Sequence, residues 1–461
     1  MRIHLIAVGG AAMHNIALAL YYNHHTVSGS DDEIYNPARD RLMAAGLLPT
    51  EMGWHPERIT KDIDVIILGM HARPDNPELK KAIELSIPVY SYPAYVYEQS
   101  QNQQRVVIAG SHGKTTTTSM IMHVLKFYER DFDYLVGAQL EGFDTMARFS
   151  DAPLTIIEGD EYLSSPLDRR PKFLHYRPDI AVITGIAWDH INVFPTFEGY
   201  KEQFLLLAQS MPESGALFYY QKDDHLPELL NDSSIKTDVK PYDGFEYLVE
   251  KNKTILLTDS AEKVPLKIFG AHNLQNLKAA HLVCQQLNIT DEAFFHAIQS
   301  FAGAAKRLDF LCQTETATAY KDFAHAPSKV KATTAAMKNQ FPDRELVACV
   351  ELHTFSSLNK QFLPHYKHSL AAADRAYVFY NEHTLKMKKL PAIHPDEITA
   401  AFDHPQLTVI QNDYQQLASA LQQFTWENKN LLLMTSGNFG GWDIKPAIEA
   451  LFNITKKNKS T

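Results

Sequence analysis

Short apolar runs rich in Val, Ile and Leu alternate along the chain with longer stretches whose apolar residues recur at helical spacing. This alternation predicts parallel sheets built from strand–helix–strand units. In the first block a strand over Ile3–Val8 enters a Gly9-Gly10 turn and a helix over Met13–Tyr22. A strand at Thr26–Ser28 ends in Gly29-Ser30-Asp31-Asp32, and another at Val65–Leu68 closes at Gly69. The polar stretch Glu98–Gln104 has no periodicity and reads as a linker.

The second block opens with a strand over Arg105–Ala109, passes through Gly110-Ser111-His112-Gly113-Lys114-Thr115-Thr116, and continues into a helix over Ser119–Tyr128. Strands follow at Leu154–Ile157 and Ile180–Thr184. Residues 221–266 read as a loop-rich or small β insertion, and a helix covers Asn273–Leu287. The third block shows strands at Ala317–Lys321, Leu346–Val350, Ala376–Phe379, Leu407–Ile410 and Leu431–Met434, with helices between them. The expected organisation is α/β in three domains, 1–104, 105–302 and 303–461. No fixed-period repeat is visible.

Composition narrows the choices. Forty-four Lys and Arg stand against 54 Asp and Glu, a formal charge of −10, so no global positive field recruits nucleic acid. Cys284, Cys312 and Cys349 are too sparse and too far apart for a disulfide framework or a metal knuckle, which points to a reducing cytoplasm. No apolar run reaches the ~18 residues of a membrane span. The opening residues lack a signal-peptide cleavage pattern.

The strongest chemical signal is the loop before the second-block helix. Glycines let backbone N–H groups converge on phosphate oxygens, and the helix N-terminus adds partial positive charge. Lys114 can reach the β- and γ-oxygens, and the Thr115 hydroxyl can ligate Mg²⁺. The general pattern wants an earlier glycine where this chain has Ile108, so the match is partial; a plain strand–helix turn is the bland alternative. As a loop residue Lys114 is expected to contribute little to the fold. A phosphate-bound Mg²⁺ needs further hard oxygen ligands. Glu158, at the end of strand Leu154–Ile157, is the first candidate and Glu161 the second; a solvated acidic turn is the alternative. His190, in Trp188-Asp189-His190, could hold a second metal ion, orient the substrate, or make only a structural hydrogen bond.

These segments, with Gly270-Ala271-His272-Asn273-Leu274-Gln275-Asn276, Lys306-Arg307 and Tyr320–Pro327, occur in an order that resembles the Mur ligases of bacterial cell-wall synthesis. The resemblance covers essentially the whole chain. It implies a Rossmann-like N-terminal domain, a central P-loop ATPase domain and a C-terminal Rossmann-like domain. It also implies ATP and Mg²⁺ as cofactors, with amide-bond formation through an acyl phosphate. The chain is most similar to the branch that binds UDP-N-acetylmuramate. Within it, Glu158–Tyr162, Lys172–Tyr176, Asp322–Pro327 and Ser436–Gly441 favour members that take the tripeptide L-alanyl-γ-D-glutamyl-meso-diaminopimelate over those that take L-alanine.

The resemblance assigns roles residue by residue. Lys114 would contact the γ-phosphate. Thr115 and Glu158 would hold one Mg²⁺, with Glu158 and His190 near a second. His272, Asn273 and Asn276 would surround adenine, Arg307 would approach the phosphates, and Asp322 would bind ribose, so the domains would close over ATP. Gly10, Ala11, Ala12 and Met13 form the turn that would grip the UDP diphosphate, by the same close backbone approach. Asp31 would accept from a ribose hydroxyl. Taken alone this turn could serve a dinucleotide, but G-x-G-x-x-G is absent.

His71 and Asn76 are either UDP-sugar contacts or loop-fixing polar residues. Asp75-Asn76-Pro77 echoes a diaminopimelate motif that another Mur ligase carries in its last domain, so here it carries no weight. His325, Glu351, His353 and Asn438 are the candidates for the amine substrate, each with a core-edge alternative. Two departures stand out: Gln203–Leu206 lacks the lysine that some relatives carbamylate, and the usual His-His-Pro is His325-Ala326-Pro327. A nucleotide-dependent switch without ligase chemistry is the reading from another class.

Overall fold

The computed structural model describes residues 1–188, 191, 193–258, 260–304 and 307–452. His190 and Lys306 therefore lie outside the described residues. The chain divides into two compact units. One comprises Met1–Trp188, Val193–Asp243 and Asn276–Ile298; the other is formed mainly by Gly244–Gln275 and Gln299–Thr461.

The first unit holds two sheets. A four-stranded parallel sheet runs in the order Thr26–Ser30, Arg2–Ile6, Val65–Leu68, Val89–Ser91. A seven-stranded sheet runs in the order Asp238–Tyr242, Ala216–Tyr220, Ile180–Ile183, Gln104–Ala109, Leu154–Glu158, Asp133–Leu135, Ala147–Arg148. Only its last pair is antiparallel. The central strands read as continuous apolar runs because helices cover both faces of a parallel sheet. Val106, Val107 and Ile108 are all fully buried. One apolar cluster takes in Ile3 and Leu5 of the first sheet together with Val107 and Ile157 of the second.

The expected linker is shorter than its polarity suggests. Helix Tyr92–Gln99 takes its first two residues and strand Gln104–Ala109 its last, which leaves residues 100–103 as the connection. Gln103 is buried and donates to Asp133 Oδ2 at 2.7 Å and to the Ser150 carbonyl at 3.3 Å. Its polarity serves a buried hydrogen bond, not solvent.

The second unit holds a three-stranded antiparallel sheet, Tyr247–Glu250, Lys253–Leu257 and Lys263–Leu266, which accounts for the later part of the expected insertion. Its six-stranded sheet runs Asp309–Gln313, Thr318–Asp322, Lys429–Met434, Glu345–Leu352, Arg375–Tyr380, Leu407–Gln411. Only the Asp309–Gln313 edge is antiparallel. In strand Glu345–Leu352, Leu346, Ala348, Val350 and Leu352 enter one apolar cluster, while Val347 and Cys349 enter another. The period-two alternation thus separates two cores. No helix among the described residues is long and apolar enough to cross a membrane.

Asp133 is 2% exposed and also accepts from the Ser150 N–H and hydroxyl. Gln103→Ala removes one donor from a buried carboxylate, and is expected to cost about 1–3 kcal/mol in urea unfolding of the whole chain. An unchanged midpoint would show that this contact does not anchor the segment.

Candidate active site

The loop 110–113 joins strand Gln104–Ala109 to helix Lys114–Phe127 at the carboxyl end of the parallel sheet, where ligand crevices form. Gly110 has φ +126°, and a Cβ there would come within 2.2 Å of Thr184 Oγ1. Gly113 has φ +85°, and a Cβ would come within 2.3 Å of Asn276 Oδ1. Both positions combine a left-handed backbone with a close neighbour, so only glycine fits. No side chain caps the helix at Gly113, which leaves its first-turn amides for an anion. The loop is pinned from beneath. Thr184 donates to the Ala109 carbonyl at 3.0 Å, the Ser111 N–H donates to the Gly185 carbonyl at 2.9 Å, and Ser111 Oγ lies 2.8 Å from the Tyr200 hydroxyl.

Two adjacent residues of the helix meet two different carboxylates. Thr115 Oγ1 donates to Glu158 Oε1 at 2.7 Å, and the Gly137 N–H donates to Glu158 Oε2 at 2.9 Å. Lys114 Nζ donates to Glu161 Oε2 at 2.6 Å and to the Gly110 carbonyl at 2.5 Å. Tyr200 donates to the other Glu161 oxygen at 3.1 Å. The Lys114 side chain is 14% exposed and that of Glu161 1%. Burial works against the ammonium, but the charges of Glu161 and Asp160 outweigh it and raise the Lys114 pKa.

Asp160 pairs with Lys172 at 2.5 Å. Burial pushes the Asp160 carboxyl up, yet Lys172 and then Lys114 hold it well below the usual carboxylate range. Lys172 also lies 5.5 Å from the ring centres of both Tyr92 and Tyr162. The expectation that Lys114 matters little to the fold is therefore corrected: it is one end of a buried, paired network. The roles of Glu161, Tyr200 and Lys172 here had no signal in spacing alone.

The Thr115 hydroxyl and Glu158 carboxylate are a hard-oxygen pair suited to Mg²⁺, which is held by few protein ligands, with water and phosphate completing its shell. No group of three or more His, Cys, Asp or Glu that could hold a metal occurs among the described residues.

In the first sheet, Gly10 precedes helix Ala11–Tyr22, again with no side-chain cap. Ala11 is exposed, Ala12 half-buried and Met13 buried. Asp31 accepts from the Gly9 N–H at 2.7 Å and the Asp32 N–H at 3.0 Å, and burial pushes its pKa up to about 6. It fixes the turn from below. Asn76 caps helix Pro77–Glu84, accepting from the Glu78 and Leu79 N–H groups, whereas His71 is exposed on its loop.

In the second unit Asp322, His325, Glu351, His353 and Asn438 lie at or just beyond the carboxyl ends of three neighbouring strands. Both Asp322 oxygens accept backbone N–H groups, from Leu308 at 2.7 Å and Ala324 at 2.6 Å. Burial raises the Asp322 pKa against the pull of Arg307. The Arg307 guanidinium lies 4.9 Å from the Phe323 ring centre. Asn273 donates to the Phe269 carbonyl at 2.8 Å. His325 Nδ1 lies 2.8 Å from the Phe323 carbonyl. Glu351 is buried, accepts from the Phe439 N–H at 2.9 Å and from Thr435 Oγ1, and lies 3.7 Å from His353 Nδ1. Asn438 Oδ1 accepts the Gly441 N–H at 3.0 Å in the same turn. Glu351, His353 and the 437–441 turn thus form one cluster.

A phosphate loop backed by a hydroxyl–carboxylate pair defines a nucleotide-using enzyme, and the comparisons place it. Residues 2–104 match the family model described as "Mur ligase family, catalytic domain", and 108–284 match "Mur ligase middle domain". A UDP-N-acetylmuramate–L-alanine ligase from Sulfurihydrogenibium sp. is 30% identical over 370 residues, spanning 78% of each chain.

Among solved structures, a murein peptide ligase from Psychrobacter arcticus superposes with TM-score 0.67 at 21% identity, covering 99% of both chains. A UDP-N-acetylmuramate:L-alanyl-γ-D-glutamyl-meso-diaminopimelate ligase from Neisseria meningitides gives 0.59 at 26% identity, covering 65% of this chain and 98% of that one. The chain belongs to the Mur ligase family and is an ATP-dependent carboxylate–amine ligase.

Two outcomes follow from this geometry. Lys114→Met strands Glu161 in a buried site and is expected to destabilise the chain by about 3–5 kcal/mol. Lys114→Met/Glu161→Gln should recover most of that loss in thermal melts while phosphate release stays absent. Equal melting of the wild type and Lys114→Met would refute the pairing.

The second concerns His272, whose pKa burial and Arg307 lower to about 4. Between about 4 and its ordinary 6.5 the unfolded chain binds a proton that native His272 refuses. Stability is therefore lost as pH falls through that window. His272→Gln should flatten this loss in denaturant titrations at pH 7 and pH 4.5, and an identical pH slope would count against it.

Proposed function

We propose that this ligase joins the carboxylate of UDP-N-acetylmuramate to the amine of L-alanyl-γ-D-glutamyl-meso-diaminopimelate. The observation that carries the chemistry is the adjacent placement of Lys114 and the Thr115–Glu158 pair at an uncapped helix start. The match to the Neisseria tripeptide ligase over 98% of that protein supports the choice of amine.

In this reading the domains are 1–104 for the UDP-sugar, 105–302 for ATP and 303–461 for the amine. The muramate carboxylate attacks the γ-phosphorus, ADP leaves, and an acyl phosphate forms. The amine nitrogen then attacks the acyl carbon and expels phosphate. Lys114 moves its charge onto the transferring oxygens, and the first-turn amides of the helix hold the phosphates; stabilisation of developing charge is the main device in phosphoryl transfer. Mg²⁺, held by Thr115 and Glu158, would supply further neutralisation of phosphate charge.

In the first unit Gly110 to Thr116 would cradle the phosphates and Asn276 would serve adenine; in the second, His272 and Asn273 are assigned to adenine and Arg307 and Asp322 to phosphate and ribose. Because both Asp322 oxygens already accept backbone N–H groups, it would offer ribose only their remaining lone pairs. Gly10 to Met13 take the diphosphate, with Asp31 shaping that turn. Glu351, His353, Asn438 and His325 are assigned to the amine.

L-Alanine as the amine is the second reading, favoured by the 30%-identical relative. Incubation with UDP-N-acetylmuramate, ATP and each amine, with products read by mass, separates the two. The tripeptide adduct is expected to form at least tenfold faster than the alanine adduct. The reverse order would establish the alanine ligase, and neither adduct would overturn both readings.

A further inference from the structure

Between strands Asp133–Leu135 and Ala147–Arg148 the chain makes an excursion over 136–146, closed at its base by the Val136 N–H donating to the Met146 carbonyl at 2.9 Å. Near its start is Gly137, whose N–H holds Glu158 Oε2. Its return limb is held by helices of the first sheet. Arg41, on helix Ala38–Ala44, donates to Gln139 Oε1 at 3.2 Å, to Asn15 Oδ1 at 2.8 Å and to the Asp144 carbonyl. Asn15 Oδ1 also accepts the Met146 N–H at 2.9 Å.

The network continues to the glycine turn. Asn15 Nδ2 donates to the Ala11 carbonyl at 2.8 Å and lies 3.1 Å from His14 Nε2. His14 Nδ1 meets the Gly10 carbonyl at 2.8 Å, and Arg41 lies 3.4 Å from His14 Nε2. His14 and Asn15 are each 4% exposed. Burial holds the His14 pKa low, reinforced by Arg41 and opposed by the Gly10 contact. With Nδ1–H donating to the Gly10 carbonyl, Nε2 is left to accept from Asn15 Nδ2 and Arg41.

We infer that Arg41 is a positioning residue for the ligase reaction: through Asn15 and the 136–146 excursion it ties the glycine turn to Glu158. The inference rests on the reading of Glu158 as the Mg²⁺ carboxylate. Within the excursion, Gln139 Nε2 donates to the Phe143 carbonyl at 2.8 Å and the Leu140 N–H meets Met146 Sδ at 3.2 Å. Arg41 engages both limbs, at Gln139 and at Asp144. Without it the Gly137 N–H loses its fixed place, and Glu158 loses a donor that orients it. A diphosphate bound at Gly10 would act on the same helix that carries His14 and Asn15, so occupation of that turn is felt at the metal carboxylate.

The test uses the full chain as wild type, Arg41→Ala, Arg41→Lys and Gln139→Ala. Mn²⁺ affinity is measured by electron paramagnetic resonance with ADP present, and hydrogen exchange of peptides covering 136–146 is measured with and without UDP-N-acetylmuramate. Arg41→Ala is expected to weaken Mn²⁺ binding by about tenfold, the scale of losing a group that orients a metal ligand. The nucleotide sugar is expected to slow exchange there in wild type, and Arg41→Ala to abolish that slowing. Arg41→Lys should recover part of both, and Gln139→Ala should shift both in the same direction by less.

Mn²⁺ affinity within twofold of wild type in Arg41→Ala, with the exchange response intact, overturns the inference even if turnover falls. If Arg41→Ala does not fold, the same criterion applies to Gln139→Ala. Wild type that binds ADP but forms neither adduct sinks the functional reading instead, whereas wild-type turnover with an indifferent Arg41→Ala sinks only this one.

Discussion

A buried charge must be paired, and that requirement organises the mouth of the seven-stranded sheet. Lys114 and Thr115 are consecutive residues of one helix, yet they meet carboxylates three positions apart, Glu161 and Glu158. Each acid takes a further donor on its other oxygen, the Gly137 N–H on Glu158 and the Tyr200 hydroxyl on Glu161. The end of strand Leu154–Glu158 and the turn after it supply these two, and a third, Asp160, is neutralised by Lys172. The positive φ at Gly110 and Gly113, the Thr184 bonds beneath the loop and the Ser111–Tyr200 contact then hold this pairing in register. Loss of the pairing would leave charge in a low-dielectric setting, where its cost is several kcal/mol per ion.

The same economy explains why several short polar residues are occupied from within the protein. Asp31 receives the Gly9 and Asp32 N–H groups, Asn76 receives two helix N–H groups, and Asp322 receives those of Leu308 and Ala324. Each shapes a loop at the carboxyl end of a parallel strand, the place where α/β sheets bind ligands. In all three the carboxylate or amide oxygens set the path of the backbone.

What could be read from the sequence follows from how local each feature is. The phosphate loop was legible because strand, glycines, Lys114 and Thr115 lie within a dozen residues, and the central strands because parallel strands are apolar on both faces. Glu158 was legible as the end of a strand. The assignment of Glu161 to Lys114 was not, because it depends on the path of the 159–161 turn and on Tyr200 from a distant helix. Gln103 read as linker because composition cannot separate a solvated amide from one that satisfies a buried Asp133. Arg41 carried no motif at all; its partners lie 26 and 98 positions away.

The corner proposed for the amine follows from the same accounting of acceptors. Glu351 Oε2 already receives the Thr435 hydroxyl and the Phe439 N–H, so Oε1, beside His353, is the oxygen still able to take an incoming N–H. Gly437 leaves that corner open, since a Cβ there would come within 2.9 Å of Glu351 Oε2 and 2.8 Å of His353 Nδ1. A corner with one available carboxylate oxygen and an adjacent imidazole can orient one amine, but it offers little to discriminate a long peptide from a short one. In the proposed reading, selection of the tripeptide must therefore come from contacts farther along its length, and substitutions at Glu351 would weaken both candidate amines alike.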